Sequence, residues 1–372
     1  MVISGIICEC NPFHMGHARI IRHARAHSDG VVCLMSQSFV QRGEPAMHDF
    51  AHRVKWALLA GADLVIALPT IYSLQSAEGF AAGGVNLLAD IGIDSLVFGC
   101  ELDDAHWLTQ IARLRNHEPK PFQEALQEAL SAGLSHGAAL EAASRACLPG
   151  LPKEALLPNG ILAIEYIRAN LKQKKPMKIC PIKREGPVSA TTIRKALSEG
   201  LMPQGLPAYV EADLPLPMAA LEDLSQAILY ALRSRGPEDF SLLPQAGEGL
   251  EQRLWQAARK AANFDELLAL AATRRYPLSR IKRLLCSALL NITKTDAIAL
   301  QKPCHARIAG LSPAGGNIIK TLQGRSRLPL IQKAVALKDD PSFAIDCRAA
   351  DIRALANDGP SGQTFTDGVI TI

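Results

Sequence analysis

Apolar and polar positions alternate in two distinct ways along the first hundred residues. Short continuous apolar runs occupy residues 2–8, 30–35, 63–68 and 94–98, the third stopped by Pro69. Runs of this length bounded by polar residues predict buried strands. Between them, residues 16–27, 50–60 and 75–90 repeat their apolar positions every three or four residues, which predicts amphipathic helices. Strands alternating with helices imply an α/β fold with a doubly wound parallel sheet of Rossmann type. Residues 103–175 read as helical, broken by Pro119, Pro121, Pro149, Pro152 and Pro158. A fifth strand is expected over 177–182 and a further helix over 189–199, with Ser189 as its N-cap. Proline-rich residues 201–217 read as a linker and 218–357 as a mainly helical domain with basic faces. Within that stretch, 343–351 is expected to return to a sheet, and 358–372 reads as a loose tail. The expected organisation is thus an α/β domain over 1–200, a linker, a helical domain and a tail.

Charge sharpens this division. The net charge of the 372 residues is only +4. Residues 251–335 nevertheless hold 15 Lys and Arg against 4 Asp and Glu, a local charge of +11. The remainder holds 25 basic and 32 acidic residues, or −7. Such asymmetry points to a polyanionic partner for the helical part. The nine cysteines are odd in number and form no C-x-x-C pair, so they read as buried free thiols. No apolar run is long enough for a membrane span, and the N-terminus has no basic region or cleavage site of a secretory signal. A cytoplasmic location is the expectation.

The chemistry concentrates where the first strand ends. There, Glu9-Cys-Asn-Pro-Phe-His-Met-Gly-His17 leads into a predicted helix. A helix N-terminus carries unpaired N–H groups and a partial positive charge, so it favours phosphate. His14 and His17, three apart, can face one side there and donate to oxygens that gain charge in a transition state. Gly16 lets a phosphate approach the backbone. A lone histidine is usually a solvent-facing or core side chain; the H-x-G-H spacing right after the first strand favours catalysis. A second helix start carries Ser189, Thr191 and Arg194, another anion cradle if it is not a simple cap. The sequence holds no P-loop motif and no G-x-G-x-x-G after a strand. His48 and His52 lack the glutamate of H-E-x-x-H, so no protein metal site is expected.

These motifs resemble the nucleotidyltransferase superfamily and, within it, the tRNA(Met) cytidine acetate ligases. The resemblance runs over about residues 1–355. It includes Phe39-Val-Gln-Arg-Gly-Glu-Pro-Ala46, Gly61-Ala-Asp-Leu-Val-Ile-Ala-Leu-Pro69, Phe98-Gly-Cys-Glu101, Asn159-Gly-Ile-Leu-Ala-Ile-Glu-Tyr166, Pro181-Ile-Lys-Arg184 and Thr273-Arg-Arg-Tyr-Pro-Leu-Ser-Arg-Ile-Lys-Arg283. Three departures stand out. Cys10 replaces a usual aromatic, Gln37 replaces a glycine, and the segment between Arg184 and Ser189 is short. The resemblance implies an enzyme that turns acetate and ATP into acetyl-adenylate and pyrophosphate. The acetyl group then passes to N4 of the wobble cytidine of elongator tRNA(Met), giving N4-acetylcytidine.

Carried over by position, the ATP contacts are Ile7, Cys8, Glu9, Cys10, Asn11, Pro12, Phe13, His14, Met15, Gly16, His17, Ala18, Arg19 and Ile20. Gly99, Asn159 and Arg184 join them, and Mg²⁺ is expected beside ATP. Arg274, Arg275, Arg280, Lys282 and Arg283 are the candidate tRNA contacts, against the alternative of a solvated helix face. No obligatory protein partner is indicated. Acetate is already ionised at neutral pH, so alignment and charge stabilisation suffice and no general base is needed. Two rivals stay open: a nucleotidyltransferase acting on a small phosphorylated substrate, and a non-catalytic RNA-binding protein.

Overall fold

The computed structural model describes residues 1–372 apart from Pro187, Val188 and Arg274. Its strands are β1 (Ile3–Cys8), β2 (Gly30–Ser36), β3 (Phe39–Val40), β4 (Glu44–Pro45), β5 (Leu64–Leu68), β6 (Ser95–Cys100), β7 (Lys178–Lys183), β8 (Ala306–Leu311), β9 (Leu330–Ile331) and β10 (Ile370–Thr371). The main sheet runs β10-β8-β5-β2-β1-β6-β7, with β9 beside β8. The five strands from β5 to β7 are mutually parallel. β3 and β4 form a separate antiparallel hairpin. β2 and β5 step outward from β1 on one side, and β6 and β7 lie on the other. The strand order therefore reverses at β1, the switch point at which such sheets bind ligands.

Alternation along the buried strands explains the layers. Ile3 and Ile7 of β1 and Val32 and Leu34 of β2 face one core, against the helix Ala77–Asp90. Ile6, Cys8, Val31, Cys33 and Met35 face the other, against α1 (Met15–Ala26) and the helix Phe50–Leu59. With side chains pointing alternately to opposite faces, a strand covered by helices on both sides must be apolar throughout. The two cores hold Trp56, Phe13, Phe39 and Phe80 fully buried. Each large apolar side chain so removed from water contributes about 1.5–3 kcal/mol.

Beyond residue 200 the structure departs from the expected layout. Residues 343–351 do not return to the sheet; they lie in the helix Pro341–Ala354. Asp340 caps that helix and Pro341 occupies its first turn, a start signal that outweighs the short apolar run. The strand that does return is β8, antiparallel to β5. The stretch read as a tail places β10 parallel to β8. Proline-rich 201–217 is packed, not extended. Val210 and Leu206 are buried, and the Asp213 carboxylate accepts from Lys55 Nζ at 2.9 Å and Trp56 Nε1 at 2.8 Å.

Candidate active site

The loop after β1 is held from beneath by Arg53, which is fully buried. Its guanidinium donates to the carbonyls of Glu9 and Ser36 at 2.8 Å each, and to those of Gln37 and His48. One cation thus satisfies backbone oxygens of the loops that follow β1 and β2, and burial lowers its pKa to about 10. Asn11 adds a second tie, since its Oδ1 accepts from the Met47 N–H at 2.7 Å. Phe13 anchors the loop apolarly against Trp56 and Tyr209. The Met15 N–H donates to the Gly205 carbonyl at 2.8 Å, so part of the proline-rich stretch also supports the loop.

His14 is the N-cap of α1. Its Nδ1 accepts from the Gly16 N–H at 3.0 Å, and the His14 N–H donates back to His17 Nδ1 at 3.3 Å. This reciprocal capping uses imidazoles where helices ordinarily use Ser and Glu. The rings lie close, with centroids 3.9 Å apart. Burial, aided by the Arg184 charge, lowers the His14 pKa to about 4. His17 is likewise held well below its ordinary value, by burial and by the charges of His14 and Arg184. Both rings are therefore neutral at pH 7. A neutral ring whose Nδ1 accepts must carry its proton on Nε2. The capping bonds thus fix both tautomers and present two Nε2–H donors beside a helix N-terminus.

Gly16 is required by the ring of His14. A Cβ at position 16 would stand 2.7 Å from His14 Cε1 and 2.9 Å from Nδ1. Gly99, at the end of β6, has a related role. A Cβ there would meet Ile20 Cδ1 at 2.8 Å and Arg184 Cγ at 3.7 Å, so the bare backbone lets α1 and Arg184 close over the strand end.

On the far side of the switch point, Glu101 organises the remaining polar groups. Its Oε1 accepts from Asn159 Nδ2 at 2.6 Å and its Oε2 from the Gly160 N–H at 2.9 Å. Arg184 approaches Glu101 Oε1 only to 4.0 Å and keeps 39% of its side chain exposed. It is a positive charge with room to engage an anion. Arg194 donates to the Asn11 carbonyl at 2.7 Å and to Thr191 Oγ1 at 3.3 Å, joining the helix Ala190–Ser198 to the loop. Ser189 caps that helix through the Thr192 N–H at 3.1 Å.

The sequence-predicted site residues therefore divide. His14, Gly16, His17, Ile20, Gly99, Asn159 and Arg184 converge on the switch point, and Arg194 reaches it. Ile7, Cys8, Phe13 and Ala18 are core residues. Cys10 is also buried and takes a left-handed φ of 51°. The Asn11 side chain is engaged by Met47, Pro12 is buried, and Met15 offers its side chain to solvent. Arg19 is paired with Glu185 at 2.7 Å and with the Lys183 carbonyl. Glu9 is half-buried and accepts the Gln41 N–H at 2.6 Å. Burial raises its carboxyl to about 7. Arg53, Glu101 and Gly205 were not foreseen. Nothing in the sequence marks Arg53, which stands between His52 and Val54 with Lys55 two positions on.

The candidate tRNA contacts divide as well. Arg274 lies outside the described residues. Arg275 is exposed, stacked over the Tyr276 ring at 5.8 Å. Arg280 pairs with Glu248 at 2.8 Å, and Lys282 with Glu44 at 2.6 Å. Arg283 is buried and donates to Gln245 Oε1 at 2.8 Å and the Gln41 carbonyl at 3.2 Å. It pins the β3–β4 hairpin and faces the protein interior, where no phosphate reaches it.

A Rossmann-type sheet with paired imidazoles at its switch point defines a nucleotidyltransferase-class protein. The family described as HIGH Nucleotidyl Transferase matches residues 1–366. A tRNA(Met) cytidine acetate ligase of Clostridium perfringens is 33% identical over 401 aligned positions, spanning 100% of this chain and 99% of that relative. Another, from a Thermoanaerobacter species, is 34% identical over 405 positions and spans 100% of both. Thermotoga maritima TmcAL bound with alpha-thio ATP superposes with a TM-score of 0.90, at 28% identity over 100% of both chains. Its apo form gives 0.90 at 27%. The chain belongs to the tRNA(Met) cytidine acetate ligase family and is a ligase. Among the described residues, no helix is long and apolar enough to cross a membrane.

Proposed function

We propose that this enzyme joins acetate to the α-phosphate of ATP, releases pyrophosphate, and transfers the acetyl group to N4 of the wobble cytidine of elongator tRNA(Met). The observation that carries the reading is the pair of neutral imidazoles, each with its Nε2–H available, at the start of α1. The printed names of the relatives and the alpha-thio ATP bound to the Thermotoga protein support it.

In this reading the phosphates of ATP lie against the α1 N-terminus, whose dipole favours negative charge. The two Nε2–H groups donate to phosphoryl oxygens as acetate attacks the α-phosphorus. Fixed donors at such a point need no reorganisation as charge develops, and each is worth roughly 2.7–4 kcal/mol. The acetate oxygen forms the new bond to phosphorus while the pyrophosphate oxygen leaves with its electron pair. Arg184 sits where it can balance that leaving charge. In the second step the cytidine N4 attacks the acetyl carbonyl carbon, AMP departs, and the amine gives up its proton. Alignment is the larger demand, because both nucleophiles meet an activated partner.

Among the described residues, the carboxylates near the loop already serve protein donors: Glu101 accepts from Asn159 and Gly160, and Glu9 accepts from Gln41. Magnesium prefers one or two free carboxylates together with phosphate oxygens. The described donor set at the loop is imidazole, cation and N–H, so any Mg²⁺ would arrive on the nucleotide.

Pyrophosphate release from ATP and acetate, measured with and without tRNA(Met), tests the proposal. Acetate-dependent release and N4-acetylcytidine in the tRNA are expected. Release driven instead by a small phosphorylated substrate, or none at all, overturns it.

A further inference from the structure

Among the described residues, three metal-ligating side chains converge away from the nucleotide loop: Cys304, His305 and Asp340. Cys304 Sγ lies 3.1 Å from Asp340 Oδ2 and 3.4 Å from His305 Nδ1, and His305 Nδ1 lies 3.3 Å from the same Oδ2. Cys304 is exposed, while His305 is buried. The cluster joins two separate pieces of chain. Cys304 and His305 immediately precede β8, and Asp340 caps the helix Pro341–Ala354.

We propose that Cys304, His305 and Asp340 bind a borderline-soft divalent metal ion such as Zn²⁺, which clips the entry of β8 to the helix Pro341–Ala354. Geometry supports this first. A tetrahedral Zn²⁺ with ordinary bond lengths holds its ligand atoms about 3.5 Å (S to N), about 3.5 Å (S to O) and about 3.3 Å (N to O) apart. The observed 3.4, 3.1 and 3.3 Å follow that pattern. The remaining difference falls on Cys304, whose exposed side chain can turn. Chemistry supports it next: thiolate, imidazole and carboxylate suit zinc and its neighbours, whereas magnesium and calcium want oxygen alone. Orientation is fixed as well, because Asp340 Oδ1 accepts the Phe343 N–H at 2.9 Å and so aims Oδ2 at the other two ligands. The exposed side of Cys304 leaves a fourth position for water. On binding, the Cys304 thiol loses its proton to solvent and the His305 proton resides on Nε2, while S, N and O each donate an electron pair to the metal.

The position gives the clip a purpose. β8 lies three strands from β1, about 14 Å at ordinary strand spacing, so a metal here is separate from the nucleotide. The clipped helix also carries Asp346, which accepts the Thr70 N–H at 2.7 Å, and Arg353, which donates to the carbonyls of Ala46 and Met47 at 2.7 and 3.1 Å. It therefore braces the loops that follow β5 and the β3–β4 hairpin.

The test is titration of chelator-treated full-length protein with Co²⁺ and then Zn²⁺. One equivalent of Co²⁺ should bind with a thiolate-to-cobalt absorption band, and Zn²⁺ should displace it. Saturating Zn²⁺ should raise the melting temperature by about 3 °C at a hundredfold excess over Kd. Cys304→Ala, at an exposed position, should fold normally, lose the band and bind at least about 100-fold more weakly. His23→Ala should change nothing, although His23 and His27 stack with ring centroids 4.3 Å apart. Absence of tight binding, or Cys304→Ala binding as well as the parent, overturns the proposal.

Discussion

Replacing Gly16 by alanine separates stability from chemistry. Helix propensity alone favours the change by up to ~1 kcal/mol. The new Cβ, however, would stand 2.7–2.9 Å from the His14 ring, so the imidazole must turn away. That breaks the 3.0 Å bond from the Gly16 N–H to Nδ1, a cap worth ~1 kcal/mol. The two effects oppose each other, and net stability should stay within ~1 kcal/mol of the parent by chemical denaturation. The rate should not survive. Turning the ring removes one Nε2–H donor, and acetate-dependent pyrophosphate release should fall roughly 100-fold or more. A double-variant cycle isolates the cause. With His14→Ala already in place there is no ring to displace, so Gly16→Ala should add no further loss of rate and should be neutral or stabilising. Parent-like activity in Gly16→Ala, or an undiminished second loss in the double variant, would refute the coupling between glycine and imidazole.

His17→Asn keeps an acceptor near the Nδ1 position and deletes Nε2–H. Adenylate formation should fall roughly 100- to 1000-fold with tRNA binding and melting temperature unchanged, and an unchanged rate removes His17 from the mechanism. Glu9→Gln tests the raised carboxyl. Its folded-state value near 7 exceeds the ordinary 4.5, so its stabilisation is complete below about 4.5 and is lost as pH rises through 7. The variant should equal the parent near pH 4.5 and exceed it by ~3 kcal/mol above pH 7.5 in urea melts; lower stability at high pH would contradict the assignment. Arg275→Glu should weaken tRNA binding and flatten its salt dependence while sparing adenylate formation. Arg283→Ala should instead destabilise the fold by roughly 1–3 kcal/mol, because it leaves buried acceptors on Gln245 and Gln41 unpaired; full stability would mean that the arginine is not a packing residue.

By itself the sequence determined the elements with local causes. Residues 2–8, 30–35, 63–68, 94–98 and 177–182 match β1, β2, β5, β6 and β7 within two residues at either end, and for the first four the cause is that a strand buried on both faces must be uniformly apolar. The H-x-G-H loop was legible for a similar reason: capping and phosphate binding act within one helical turn. Tertiary structure alone decided the rest. β8 was hidden because the short run Ala306–Leu311 gains its meaning only from pairing with β5, some 240 residues earlier. Arg283 and Arg275 look alike in a basic stretch, yet one is buried under the β3–β4 hairpin and the other is exposed. Likewise, Asp340 meets Cys304 and His305 only because the chain folds back upon itself. Charge and side-chain type are local properties. Which groups are stripped of water, and which partners then satisfy them, depends on packing between distant segments.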